Sequence, residues 1–177
     1  SLARSLRQLD PTISLAGVTG PSMTDAGVES LAGIDRLDVM GLFEVLGHLP
    51  RLVRFRRALR GAILDRLPSA FVGIDAPDFN LGLARQLKRA GLPTAQFVCP
   101  SVWAWRGYRI PKIARSLDLM LMLFPFEPDC FAGTGLDCRF VGHPLADALP
   151  RRPDRAAARS ALDLPADRPV VALLPGS

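Results

Sequence analysis

The sequence predicts an α/β fold built on a doubly wound, mostly parallel sheet, and three observations carry that expectation. Nearly uninterrupted apolar runs, AFVGI at 70–74, TAQFVC at 94–99 and LDLMLML at 117–123, read as strands buried on both faces. Segments of helical periodicity fill the stretches between them, the alternation that gives parallel strands with crossover helices. Of 177 residues, 49% are hydrophobic and 22% charged, with 15 Gly and 16 Pro, enough for a sizeable core and for the turns that alternation requires.

Element by element, Leu2, Leu6 and Leu9 lie at helical spacing before Asp10 and Pro11. ISLAGVTG (13–20) is a short β-branched run ending in glycine and reads as a strand. A long amphipathic helical segment occupies 35–67, with a break or kink expected at Gly47 and Pro50. After the strand at 70–74 comes a helix, FNLGLARQLKRAG, stopped by Gly91. The strand at 94–99 is followed by helical YRIPKIARS (108–116), the strand within LDLMLML, a short helix in FEPDCFAG (126–133) and a strand in CRFVG (138–142). From 151 the chain turns charged, Ala-rich and Pro-punctuated, and PVVALL (169–174) is expected as a new strand. The organisation is thus one domain over 1–150, then a linker and the first strand of a second over 151–177.

Composition excludes several function classes. Cys99, Cys130 and Cys138 are an odd number without a CxxC pair, so neither a disulfide framework nor a zinc site is encoded. A reducing compartment suits them. No apolar run reaches the length of a membrane span. The formal net charge is +5 and the pI about 9.8, which favours anionic partners without choosing among phosphates, nucleic acid and an acidic membrane.

In open α/β sheets ligands bind beyond the carboxyl ends of strands, so the segments after strands are the candidates. In GIDAPDFN, Pro77 is expected to hold Ala76 extended and delay the helix, leaving Asp75 at the strand end and Asp78 as the helix N-cap. A strand-end carboxylate beside a substrate hydroxyl acts as general base or holds that hydroxyl; the plain alternative is a solvated loop carboxylate. Asp78 and Asn80 are further substrate-binding candidates. In CPSVWAWRGYRIPKI, Trp103 and Trp105 would share one side of an extended segment, and Arg106, Arg109 and Lys112 one helical face suited to phosphate. Tryptophans in the core and a solvated basic face explain the same pattern. His143, between a strand and Pro144, is either a sugar or phosphate ligand or structural. The closing Pro175, Gly176 and Ser177 follow a strand and can present backbone N–H groups to a diphosphate, although PGS is also ordinary turn chemistry.

Residues 40–62 interleave large apolar groups with arginines. Leu42, Phe43, Leu46, Leu49 and Leu52 with Arg54 and Arg57 form a basic amphipathic surface fit for an anionic membrane, unless the helix simply packs on its own sheet.

Taken together, VMGLFEVLGHLPRL, VGIDAPDFN, PSVWAWR, LFPFEPD, CRFVGHPLAD and LLPGS appear in an order that resembles the lipid-A-disaccharide synthases. The resemblance implies a Rossmann-like N-terminal domain of a GT-B fold and an inverting glycosyl transfer without metal or other cofactor. In that reaction 2,3-diacylglucosamine passes from UDP-2,3-diacylglucosamine to the 6-hydroxyl of 2,3-diacylglucosamine 1-phosphate. It further implies Asp75 as the catalytic aspartate, Arg106 near substrate phosphate, and Pro175, Gly176 and Ser177 as the start of the UDP-binding loop. The expected setting is cytoplasmic, peripheral on the inner face of the inner membrane, with no nucleic-acid partner and room for a homodimer. Against that family's pattern the first strand with its glycine-containing loop and most of the UDP-binding domain are missing, so the expectation is a truncated fragment, inactive alone, whose sheet has unpaired edges. A UDP-N-acetylglucosamine 2-epimerase-like enzyme and a basic nucleic-acid-binding domain are the alternatives.

Overall fold

The computed structural model describes residues 2–33 and 45–174, with side chains described outside 45–51. Two compact units emerge, 1–142 and 143–177.

In the first unit, α1 (Leu2–Leu9) leads to β1 (Ala16–Thr19), a short α2 (Pro21–Thr24) and β2 (Glu29–Gly33). β1 and β2 pair in parallel as a two-stranded sheet. Sequence reading misses β2, because VESLAG has neither an apolar run nor clean alternation. Then come α3 (Val45–Asp65), β3 (Phe71–Ile74), α4 (Pro77–Arg89) and β4 (Thr94–Phe97). A one-turn α5 (Val102–Trp105), a 3-10 turn (Gly107–Arg109) and α6 (Ile110–Ala114) precede β5 (Leu119–Met122). A second 3-10 turn (Pro128–Phe131) and β6 (Asp137–Phe140) complete a four-stranded sheet of order β3-β4-β5-β6. Every strand pair in it is parallel. The fold is therefore α/β and Rossmann-like, as the alternating pattern predicts.

α4 shows how sequence dictates an element. Phe79, Leu83 and Leu87 recur at helical spacing and turn toward α3, where they form one core cluster with Leu59 and Leu92. Leu81 and Ala84 lie in a second cluster with Met120, Met122, Ile113 and Phe131. Gly91 stops the helix at φ +87, a left-handed position glycine occupies freely, while Leu92 N donates to Leu87 O and Gly91 N to Lys88 O, a Schellman cap.

Three expectations need correction. α3 runs unbroken through Gly47 and Pro50, because packing of Leu52, Phe55, Leu59 and Ile63 on the α4 cluster outweighs one lost backbone bond. The sheet is not covered on both faces throughout: β4 and β5 alternate buried and half-buried residues, but Val72 and Ile74 of β3 and Phe140 of β6 are exposed, and the outer edge of β3 has no partner strand among the described residues. Residues 169–174 form no strand, and Val171, Leu173 and Leu174 are exposed. A strand exists only in a ladder, and no partner for this one lies among the described residues.

The second unit holds α7 (Pro144–Ala148) and α8 (Arg155–Ala161), the latter capped by Asp154, whose carboxylate accepts from Ala157 N at 2.9 Å.

Candidate functional site

The site is assembled where β3 and β4 end. Asp75 N still donates to Phe97 O at 3.0 Å, continuing the ladder one residue past β3, but Asp75 and Ala76 then adopt φ of +48° and +40°. Val98, at the matching end of β4, stands at φ +77°, and a β-branched residue there is an outlier. Three strained non-glycine positions side by side each cost about 1–3 kcal/mol and persist only where surrounding bonds over-determine them.

Those bonds come from two amides. Asn80 Nδ2 donates to Asp75 O at 2.7 Å and Ile74 O at 3.1 Å. Gln96, fully buried in β4, donates from Nε2 to Asp75 O at 2.9 Å and reaches Phe97 O and Val98 O at 3.2 and 3.4 Å. Gly73 makes room for it: a Cβ there would lie 2.4 Å from Gln96 Oε1 and 3.0 Å from Asn80 Cβ. The backbone of Asp75 is thereby fixed, and its exposed carboxylate has no hydrogen bond or ion pair among the described residues.

The structure places Ala76, not Asp78, at the helix N-cap; Pro77 opens α4 and Asp78 lies in its first turn. Ala76 is left-handed rather than extended: proline disfavours the right-handed helical region at the preceding residue, and the two amides select the left-handed solution. Asp78 instead pairs with Arg109 and accepts from Arg56 through its backbone carbonyl at 3.2 Å. Arg56, over the Phe79 ring at 5.0 Å, is half-buried, and that desolvation lowers its pKa from the ordinary value.

Trp103 and Trp105 are not on an extended segment but on α5, and both are exposed. Only Val102 of that turn is buried, and Pro100, two residues before it, sets the chain's exit from β4. Arg106 stacks on Trp105 with its guanidinium carbon 3.6 Å from the ring centroid. Its Nε is buried without a hydrogen-bond partner among the described residues. Arg106 and Arg109 share a cavity of about 180 Å³ with Pro77, Asp78, Ser101 and Trp105. Ligand pockets commonly run to roughly 300–1,000 Å³. The cavity therefore fits one charged group of a larger ligand, and its two guanidinium groups against the single Asp78 carboxylate leave a net positive lining that suits an anion. Lys112 lies on α6, exposed and outside this lining.

His143 Nδ1 accepts from Leu145 N at 3.1 Å and caps α7, which leaves the Nε2–H to donate. Leu52 packs on the α4 cluster, while Val53, Arg54 and Arg57 are exposed. Leu42, Phe43, Pro175, Gly176 and Ser177, and the side chains of Leu46 and Leu49, lie outside the described residues. Among the described residues no group of three or more His, Cys, Asp or Glu side chains is placed to hold a metal ion, and no helix is long and apolar enough to cross a membrane.

Sequence reasoning missed Gln96 and Glu127. Glu127 is 2% exposed, and its Oε2 accepts from Leu123 N at 3.0 Å and Phe124 N at 2.9 Å. Each was visible as a polar residue inside an apolar run, and a buried polar side chain must find partners.

The family model described as lipid-A-disaccharide synthetase matches residues 1–177. A lipid-A-disaccharide synthase of Azotobacter vinelandii is 52% identical over 177 residues, all of this chain and 47% of that relative. That of Pseudomonas aeruginosa is 52% identical over 176 residues, 99% of this chain and 47% of the relative, and that of Methylobacillus flagellatus 48% identical over the same share. The chain spans about half the length of these curated relatives.

Proposed function

The chain belongs to the lipid-A-disaccharide synthetase family, and on that premise we propose that the complete protein is a glycosyltransferase of lipid A synthesis. It moves 2,3-diacylglucosamine from its UDP carrier to the 6-hydroxyl of 2,3-diacylglucosamine 1-phosphate. The family match over the whole chain decides against the epimerase-like alternative.

The observation that carries the reading is the fixed backbone of Asp75, which holds an exposed carboxylate at the carboxyl end of β3. In the reaction Asp75 accepts the proton of the acceptor 6-hydroxyl as its oxygen attacks the anomeric carbon, and UDP leaves with the bonding electrons. Arg106 and Arg109 neutralise a substrate phosphate in the neighbouring cavity. Asn80 positions Asp75 through the backbone rather than touching substrate. Asp78 orients Arg109, Trp103 offers an apolar wall, and the Nε2–H of His143 is a further donor for a sugar or phosphate oxygen. Pro175, Gly176 and Ser177 open the loop that takes UDP. The basic helix α3 rests on an anionic membrane surface at the cytoplasmic face, where exposed Val53 lies beside Arg54 and one turn from Arg57.

The test is disaccharide formation by the full-length protein, wild type against Asp75→Asn, with the two diacylated substrates. Wild type forms product, and the variant loses about 100-fold or more in kcat at an unchanged melting temperature, the size of a general base. Near-normal turnover by the variant removes Asp75 from the chemistry, and no product from wild type removes the reaction.

A further inference from the structure

Beside the arginine cavity lies an aromatic surface of which the chemistry above uses only Trp103, as a wall. Trp103 meets Phe126 edge to face at 5.4 Å, and Phe126 stacks on Phe124 at 5.7 Å and 12°. Yet the three side chains are 50%, 45% and 44% exposed. Rings in mutual contact but open to water have given up part of the burial that normally rewards aromatic side chains.

Their exposure is built rather than incidental. The turn after β5 that carries Phe124 and Phe126 is held by Glu127, a carboxylate taken out of water and bonded to Leu123 N and Phe124 N. Burying a carboxylate is costly, and here the return is a fixed turn. Trp103 comes from a different loop, on the one-turn helix whose Val102 is buried. Two strand-end loops are thus pinned independently so that their rings meet in the open, and the neighbours of Trp103 on that helix, Val102 and Trp105, line the arginine cavity.

We propose that Trp103, Phe124 and Phe126 seat an alkyl chain of a phosphorylated ligand whose anionic end occupies the Arg106 and Arg109 cavity. This rests on the reading of the ligand as an acylated sugar phosphate. A sugar stacked on the rings would need partners for its hydroxyls, and residues 123–126 carry no polar side chain. An amphiphile with one charged and one apolar end matches both halves of the surface.

The experiment measures calorimetric binding of inorganic phosphate and of hexyl, octyl and decyl phosphate, below their micelle concentrations, to the full-length protein. A fully buried methylene strengthens binding about four-fold, and on a half-open platform the expected gain is roughly two-fold per methylene. Hexyl to decyl phosphate then gains roughly 16-fold in wild type. In a Phe124→Ser, Phe126→Ser double variant that gain falls below about two-fold, while inorganic phosphate binds as in wild type. A flat chain-length dependence in wild type overturns the proposal, as does the wild-type gain persisting in the variant. The proposal also fails if the variant loses co-sedimentation with phosphatidylglycerol vesicles yet keeps the chain-length gain, which makes the rings a bilayer anchor. Finally, it fails if the variant keeps that gain and unfolds many degrees lower, which makes the rings a seat for the rest of the protein. The disaccharide assay on wild type is read separately: absence of product there sinks the proposed reaction and leaves the alkyl phosphate result standing.

Discussion

The two ends of the same sheet treat polar groups in opposite ways. At the amino ends of β4 and β5, Asp118 accepts from Thr94 N at 2.8 Å, Thr94 Oγ1 at 3.0 Å and Lys88 at 2.9 Å, while Lys88 also reaches Leu117 O and Asp118 N donates to Thr94 O. Donors and acceptors there close on one another, on backbone without strain. At the carboxyl ends, Asp75, Ala76 and Val98 hold positive φ, Gln96 Oε1 and Arg106 Nε are buried without hydrogen-bond partners among the described residues, and aromatic rings face solvent. One end of the sheet completes its own bonding and the other holds capacity open. Three of the five non-glycine residues at positive φ among the described residues stand at this end, beside the proposed site, and the saturated end holds the strands in register.

The contrast breaks most easily at Gly73. Alanine there drives a methyl to 2.4 Å from Gln96 Oε1, and Gln96 cannot swing aside without releasing the carbonyls its Nε2 holds. Gly73→Ala is expected to cost about 1–3 kcal/mol in urea unfolding of the full-length protein, with the proposed transferase activity lost alongside. A change below about 0.5 kcal/mol would mean that the amide relaxes freely and that the strained end is not held from within.

Gln96→Leu sharpens the same point at smaller cost. It removes the donor to Asp75 O while Asn80 keeps its own bond, so stability falls by about 1–2 kcal/mol. On the role proposed for Asp75, activity falls more than stability predicts, with kcat lowered and KM held, because its carboxylate wanders from its position. Gln96→Glu, of the same shape without the donor, does not rescue it. Full activity in either variant would assign the strained backbone to Asn80 alone.

The alternation of strands and helices was legible because apolar periodicity is local, and Gly91 because a helix stop is written in one residue. A candidate site after β3 was legible from two carboxylates and a proline at a strand end. How they divide was not. Asp78 looks like a cap in one dimension, but Ala76 takes the cap position because Gln96, on the next strand, bonds the preceding carbonyl. The tryptophans misled for a related reason: spacing of two reads as an extended segment, and only Pro100 and the burial of Val102 coil it into a turn. Contacts between distant residues decided each case.

The saturated end offers the smallest effect and the sharpest sign. Partial burial opposes ionisation of Asp118, and the bonds from Lys88 and from Thr94 N and Oγ1, with the Lys88 charge, outweigh it and hold its pKa below the ordinary aspartate value of 3.8. A carboxyl whose folded pKa is depressed contributes stability fully present above its unfolded pKa, about 3.9, and lost as pH falls through the folded one. Asp118→Asn keeps an oxygen for Thr94 and removes only the charge facing Lys88. The pair is half-exposed and screened, so at neutral pH the variant is expected to be less stable by roughly 0.5–1 kcal/mol. Urea melts across the acid range should show that difference constant down to about pH 4, closing below it, and shrinking in high salt. A difference that survives protonation would mean that shape rather than charge ties β4 to β5, and the amino end would then be saturated by geometry alone.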